Sequence, residues 1–107
     1  MTDILKKLDA ELEARKAFSA ESSYVASLFD KGLENILKKL GEETIETVMA
    51  AKDGDRNHLV YEVADLWFHT LILLSHQNLS SHDVLQELES RFGVSGHAEK
   101  AQRTTKQ

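Results

Sequence analysis

The chain has 107 residues, 41% hydrophobic and 29% charged, with a formal net charge of −5, the balance of one ordinary folded domain. The acidic excess argues against non-specific binding to nucleic acid or to an anionic membrane, both of which need basic patches. The absence of cysteine excludes a disulfide or a thiolate zinc site within the chain.

Proline is also absent, and helical spacing pervades the chain while period-two alternation is missing. The fold class is therefore all-α, a bundle of four to five helices. The first helix is predicted from residue 2 or 3 to residue 16, where Ile4, Leu5, Leu8 and Leu12 form one apolar stripe. Its charges run throughout, with no apolar stretch of the kind a signal peptide needs. The segment FSAESS then breaks the pattern, and Ser22 or Ser23 can cap the next helix. YVASLFDKG reads as that short helix, ending at Gly32. A long helix is predicted over residues 33–52, with Leu33, Ile36, Leu37, Leu40, Thr44, Val48 and Ala51 on one side. In KDGD, Gly54 ends that helix and Asp55 caps the next.

The next long helix is predicted over residues 56–76. Its apolar run at residues 71–74 is far too short to cross a bilayer, so no membrane association is expected and a cytoplasmic protein is the default. Ser80 and Asp83 give an S-x-x-D start for a last helix reaching about residue 91. Residues 93–107 read as a polar tail, which places the folded domain at 1–92.

The helix over 56–76 raises a physical question. It is apolar on most sides, yet Glu62, Asp65, His69 and His76 fall in one narrow stripe at 100° per residue. Burying an unpaired charge costs on the order of several kcal/mol per ion, so these groups need partners or a use. On the preceding helix, Glu43 and Glu46 share a face, with Lys39 one turn before. The tight turn at Gly54 makes the two helices an antiparallel hairpin. Glu46 and Glu62 stand at equal offsets from Gly54, and so do Glu43 and Asp65. Equal offsets mean equal heights, so four carboxylates converge.

Each pair alone has an ordinary explanation. Glu43 and Glu46 could be a solvated helix face, and Glu62 and Asp65 could pair with cations from another helix. The matched offsets argue for a joint site. Four partly desolvated carboxylates repel by more than surface ion pairs offset. Either some hold protons or a cation sits between them. All-oxygen ligands favour a hard divalent ion, Mg²⁺ or Mn²⁺, and a carboxylate-bound Mg²⁺ suits phosphoanhydride hydrolysis. A di-iron bundle site would use E-x-x-H, whereas both pairs here are purely acidic. His69 reads equally as a buried core histidine or as support for the acidic stripe. His58, His76, His82 and His97 read as surface residues.

These residues also carry a resemblance. E-x-x-E in GEETIE, fifteen residues, then E-x-x-D in EVADL resembles the signature of the all-α nucleoside triphosphate pyrophosphohydrolases. Within that superfamily, SYVASLF, KKLGEE and RFGVSG are similar to the phosphoribosyl-ATP pyrophosphatase family of histidine biosynthesis. The resemblance covers almost the whole chain. It implies hydrolysis of phosphoribosyl-ATP to phosphoribosyl-AMP and pyrophosphate, with Mg²⁺ required. It implies that Glu43, Glu46, Glu62 and Asp65 hold the metal, and it leaves open which Glu instead orients or deprotonates the attacking water. Lys39, Lys31 and Lys52 become candidates for phosphate contacts, Lys39 being the best placed. Ser23 and Tyr24 become candidates for contacts with the ribose phosphate or the base. The family also implies a homodimer, and the largely apolar helix over 56–76 independently asks for more cover than three small amphipathic helices give. The rival expectations are a house-cleaning pyrophosphohydrolase for other nucleoside triphosphates and a non-catalytic helical dimerisation module.

Overall fold

A computed structural model of the chain describes residues 3–93. Among them run five helices: α1 (Asp3–Arg15), α2 (Tyr24–Lys31), α3 (Leu33–Asp53), α4 (Arg56–His76) and α5 (Ser81–Phe92). The all-α class and the order of elements follow the periodicity. The polar tail expected over 93–107, with His97, lies outside the described residues apart from Gly93.

Local chemistry sets the boundaries. Ser23 is extended, and its Oγ accepts from the Ala26 N–H, satisfying a donor that the first turn of α2 leaves over. Gly54 closes α3 at φ 78°, in the left-handed region that a side chain disfavours. Asp55 then caps α4 by accepting from the His58 N–H at 3.1 Å. Ser80 and Asp83 form a reciprocal capping box at α5. With 21 residues each, α3 and α4 are about 30 Å long, and they form the main packed pair.

The core is built from Leu12, Val25, Leu28, Ile36, Leu71 and Ile72, so α1, α2, α3 and α4 all contribute to it. Two polar ties fasten the outer helices. The Lys16 ammonium donates to the Ser75 carbonyl at 2.8 Å, near the end of α4. The Ser81 N–H and hydroxyl donate to the Asp9 carboxylate at 3.1 and 2.5 Å, joining α5 to α1.

The apolar stripe expected on α3 is only partly buried within one chain. Ile36 is buried, but Leu33, Leu37, Val48 and Ala51 are exposed, and the other buried α3 positions are Glu43 and Ala50. Helix α4 likewise leaves Val60, Tyr61 and Trp67 more than 60% exposed, in keeping with its expected need for further cover. Helical periodicity identifies a face that needs cover without identifying what covers it. Leu40 and Thr44 of α3 line an open apolar groove of about 570 Å³, with Leu66, Trp67 and Leu74 of α4 and Leu85 of α5 among its other walls.

Candidate active site

The α3–α4 hairpin brings the four acidic residues together as their offsets from Gly54 require. Carboxylate oxygens of Glu43, Glu46, Glu62 and Asp65 all lie within 4.8 Å of one another. Glu43 and Glu62 are buried at 9% and 8% exposure, Asp65 is half-buried and Glu46 is exposed. The cluster therefore has a closed floor and an open side. Thr47 stitches the two helices beneath it, its hydroxyl 2.8 Å from the Glu43 carbonyl and 3.3 Å from the Glu62 carbonyl across the hairpin.

The electrostatics follow from this geometry. Burial pushes the Glu43 carboxyl up to about 8, assisted by hydrogen bonding to Asp65 and Glu46 and by their negative charges. Of the two ways to relieve the repulsion, this shift favours a retained proton when no cation is bound. Two buried oxygens, Glu43 Oε2 and Glu62 Oε1, have no hydrogen-bond partner. Unpartnered buried polar atoms are rare and costly. An all-oxygen set with two such atoms fits a hard divalent cation, whose ligand oxygens stand about 4–5 Å apart across the ion. Glu43, Asp65 and His69 also approach one another closely enough to hold an ion. However, both His69 nitrogens already have protein partners, so the all-carboxylate set is the better cage.

His69 is 4% exposed. Its Nδ1 lies 2.9 Å from the Asp65 carbonyl oxygen and its Nε2 lies 3.0 Å from the Tyr24 hydroxyl. It supports the acidic stripe and ties α2 to α4. Burial raises the Tyr24 phenol above its usual range, while Lys39 opposes that shift and Asp65 and Glu43 reinforce it. The phenol therefore sits within electrostatic reach of the cluster. Lys39 also pairs with Glu42 at 3.5 Å.

Lys31 and Lys52 are exposed in the last turns of α2 and α3, with neither hydrogen-bonded nor ion-paired to the cluster. Ser23 gives its oxygen to the α2 cap and also accepts from Arg15 Nη1 at 3.1 Å. His58 is exposed, as its surface reading has it, and its ring reaches the cluster: Nε2 lies 3.0 Å from Glu62 Oε2. That contact leaves Glu62 Oε1 as the unpartnered atom. A signal for it exists in the sequence, because His58 precedes Glu62 by four residues on one helix face.

Similarity to known proteins agrees with this geometry. Residues 5–92 match the family model described as phosphoribosyl-ATP pyrophosphohydrolase. A phosphoribosyl-ATP pyrophosphatase from Hydrogenovibrio crunogenus is 66% identical over 106 residues, which covers 95% of this chain and 94% of that protein. With its helical hairpin and converging carboxylates, the chain belongs to the phosphoribosyl-ATP pyrophosphohydrolase family.

Proposed function

We propose that this chain hydrolyses phosphoribosyl-ATP to phosphoribosyl-AMP and pyrophosphate, the second step of histidine biosynthesis, and that the domain over 1–92 does so in the cytoplasm. The observation that carries the reading is the buried carboxylate cluster with its two unpartnered oxygens, Glu43 Oε2 and Glu62 Oε1, in a member of this family.

Glu43, Glu46, Glu62 and Asp65 would hold Mg²⁺, with Mn²⁺ as a substitute, since hard oxygen donors suit both. When bound, the ion supplies charge neutralisation for the polyphosphate and an acidified water. The protein's own groups do the rest. A water attacks phosphorus at the anhydride between the α and β phosphates, the bridging P–O bond breaks, and the water's proton passes to a carboxylate of the cluster. Glu46, the exposed member, is the one that solvent reaches most easily. Lys39 supplies positive charge one turn from Glu43, on the side where Tyr24 stands. Tyr24 contacts the nucleotide, and Lys31, Lys52 and Ser23 stay candidates for contacts with its phosphates, ribose phosphate or base.

We also propose a homodimer. Val48, Val60 and Trp67 are exposed, and an apolar groove lined by Trp67 opens between α3, α4 and α5, exposure of a kind that a stable monomer seldom leaves open.

The test is a substrate panel with Mg²⁺ present. Phosphoribosyl-ATP should yield equimolar phosphoribosyl-AMP and pyrophosphate, with ATP and dUTP turned over far more slowly. Faster turnover of dUTP or another triphosphate would transfer the assignment to a house-cleaning role.

A further inference from the structure

Thr47 touches the backbone of both buried members of the carboxylate cluster. Its hydroxyl lies 2.8 Å from the Glu43 carbonyl, one turn back on α3, and 3.3 Å from the Glu62 carbonyl on α4. Both partners are carbonyl oxygens, which can only accept, so the hydroxyl donates to both and no titration enters. Two other threonines show what the second contact adds. Thr44 and Thr70 donate at 2.9 Å to the Leu40 and Leu66 carbonyls, each within its own helix, a common bond for a helical threonine. Thr47 makes that bond and also reaches across the hairpin, from a half-buried position.

The two residues so joined are those whose side chains carry the unpartnered buried oxygens, Glu43 Oε2 and Glu62 Oε1. A tie between their backbones limits how far α3 and α4 can part at the height of the cluster. The other two carboxylates have more freedom, since Asp65 is half-buried and Glu46 is exposed. The spacing of the buried pair is therefore the stiff dimension of the cage. Hard divalent ions differ in what they ask of that dimension. Mg²⁺ takes ligand oxygens at about 2.0–2.1 Å in strict geometry, whereas Ca²⁺ takes them at about 2.3–2.6 Å in irregular sets. A hairpin held at fixed width resists widening around the larger ion, and a loose one accommodates both.

We propose that Thr47 is a positioning residue whose hydroxyl holds the spacing of Glu43 and Glu62 and so sets the preference of the carboxylate cage for Mg²⁺ over Ca²⁺. This rests on the metal-holding role proposed above and deepens it by naming the group that fixes which ion fits.

The test is calorimetric titration of the full chain with Mg²⁺ and, separately, with Ca²⁺. The quantity read is the ratio of the two affinities. Thr47→Val keeps the shape of the side chain and removes the hydroxyl. It should lower the Mg²⁺ to Ca²⁺ ratio by about fivefold, the worth of one neutral hydrogen bond. Thr47→Ala, a better helix former, should give the same loss and keeps the test open should Thr47→Val fail to fold. Thr47→Ser retains the hydroxyl and should stay within about twofold of the wild-type ratio. A merely structural threonine would weaken both ions alike and leave the ratio where it was. An unchanged ratio in Thr47→Val and Thr47→Ala, or an equal loss in Thr47→Ser, would overturn the role while wild-type binding keeps the metal-holding reading. A wild type that binds neither ion at millimolar concentration would instead remove that reading, and the role with it.

Discussion

Glu43 meets three influences at once: burial, the Asp65 carboxylate across the hairpin, and Glu46 one turn along its own helix. Together they move its carboxyl from 4.5 to about 8. The sign of the consequence comes from proton counting. Across that window the native state keeps a proton that the unfolded chain releases, so stability is full below the unfolded value and is lost as pH rises through the folded one. With a chelator present, the melting temperature should fall steadily between about pH 5 and pH 8, and Glu43→Gln should flatten most of that fall. Thermal melts across that range check this, and identical profiles for the two proteins would contradict it. A divalent ion held by the proposed carboxylate cage would compete with the same proton, so its affinity should rise over the same window. At this scale the pairing of Glu43 with Asp65 was legible, because equal offsets across a tight turn translate into equal heights. The contact of the exposed His58 with Glu62 is marked only by their four-residue spacing, which puts the two on one helix face without requiring them to meet.

The hairpin of α3 and α4 is the element that makes the site. Its bounds were readable because each end has a chemical mark: Gly54 at positive φ and Asp55 as the cap of α4. A Cβ added at Gly54 meets nothing within 4 Å, so the cost of Gly54→Ala is conformational alone. It should destabilise the fold by about 1 kcal/mol, lowering the melting temperature by roughly 4–8 °C for a domain of this size. Gly54→Asn, which tolerates the left-handed region better, should lose less. Equal melting temperatures for Gly54→Ala and the wild type would show that the turn does not hold this geometry. The faces of the two helices were less legible than their ends. Leu37 and Val48 share a stripe with the buried Ile36, yet both lie open in one chain. A 3.6-residue period reports that a face prefers to leave water and is blind to whether the cover comes from the same chain.

At the scale of the whole molecule, the exposed apolar surface is the unsatisfied term. A chain of 107 residues has a modest core, and here α5 buries Ser81 alone while Val84, Leu85 and Leu88 stay exposed. Light scattering should give a mass of twice 12.1 kDa, and Trp67→Glu, which places a charge at the groove, should shift the equilibrium to the monomer. A wild-type mass of 12.1 kDa at micromolar concentration would contradict the dimer. Activity, in turn, depends on the cluster itself: the carboxylates of Glu43, Glu46, Glu62 and Asp65 are proposed to hold the ion that hydrolysis needs. The decisive experiment follows the rate of pyrophosphate release from phosphoribosyl-ATP as Mg²⁺ is titrated into the wild type and Glu62→Gln. The wild type should be inactive without the metal and saturate with it, while Glu62→Gln should lose at least about 100-fold, roughly the effect expected when a group acting in the transition state is removed. Equal rates for the two proteins, or turnover that ignores Mg²⁺, would show that the carboxylates do not hold a catalytic ion.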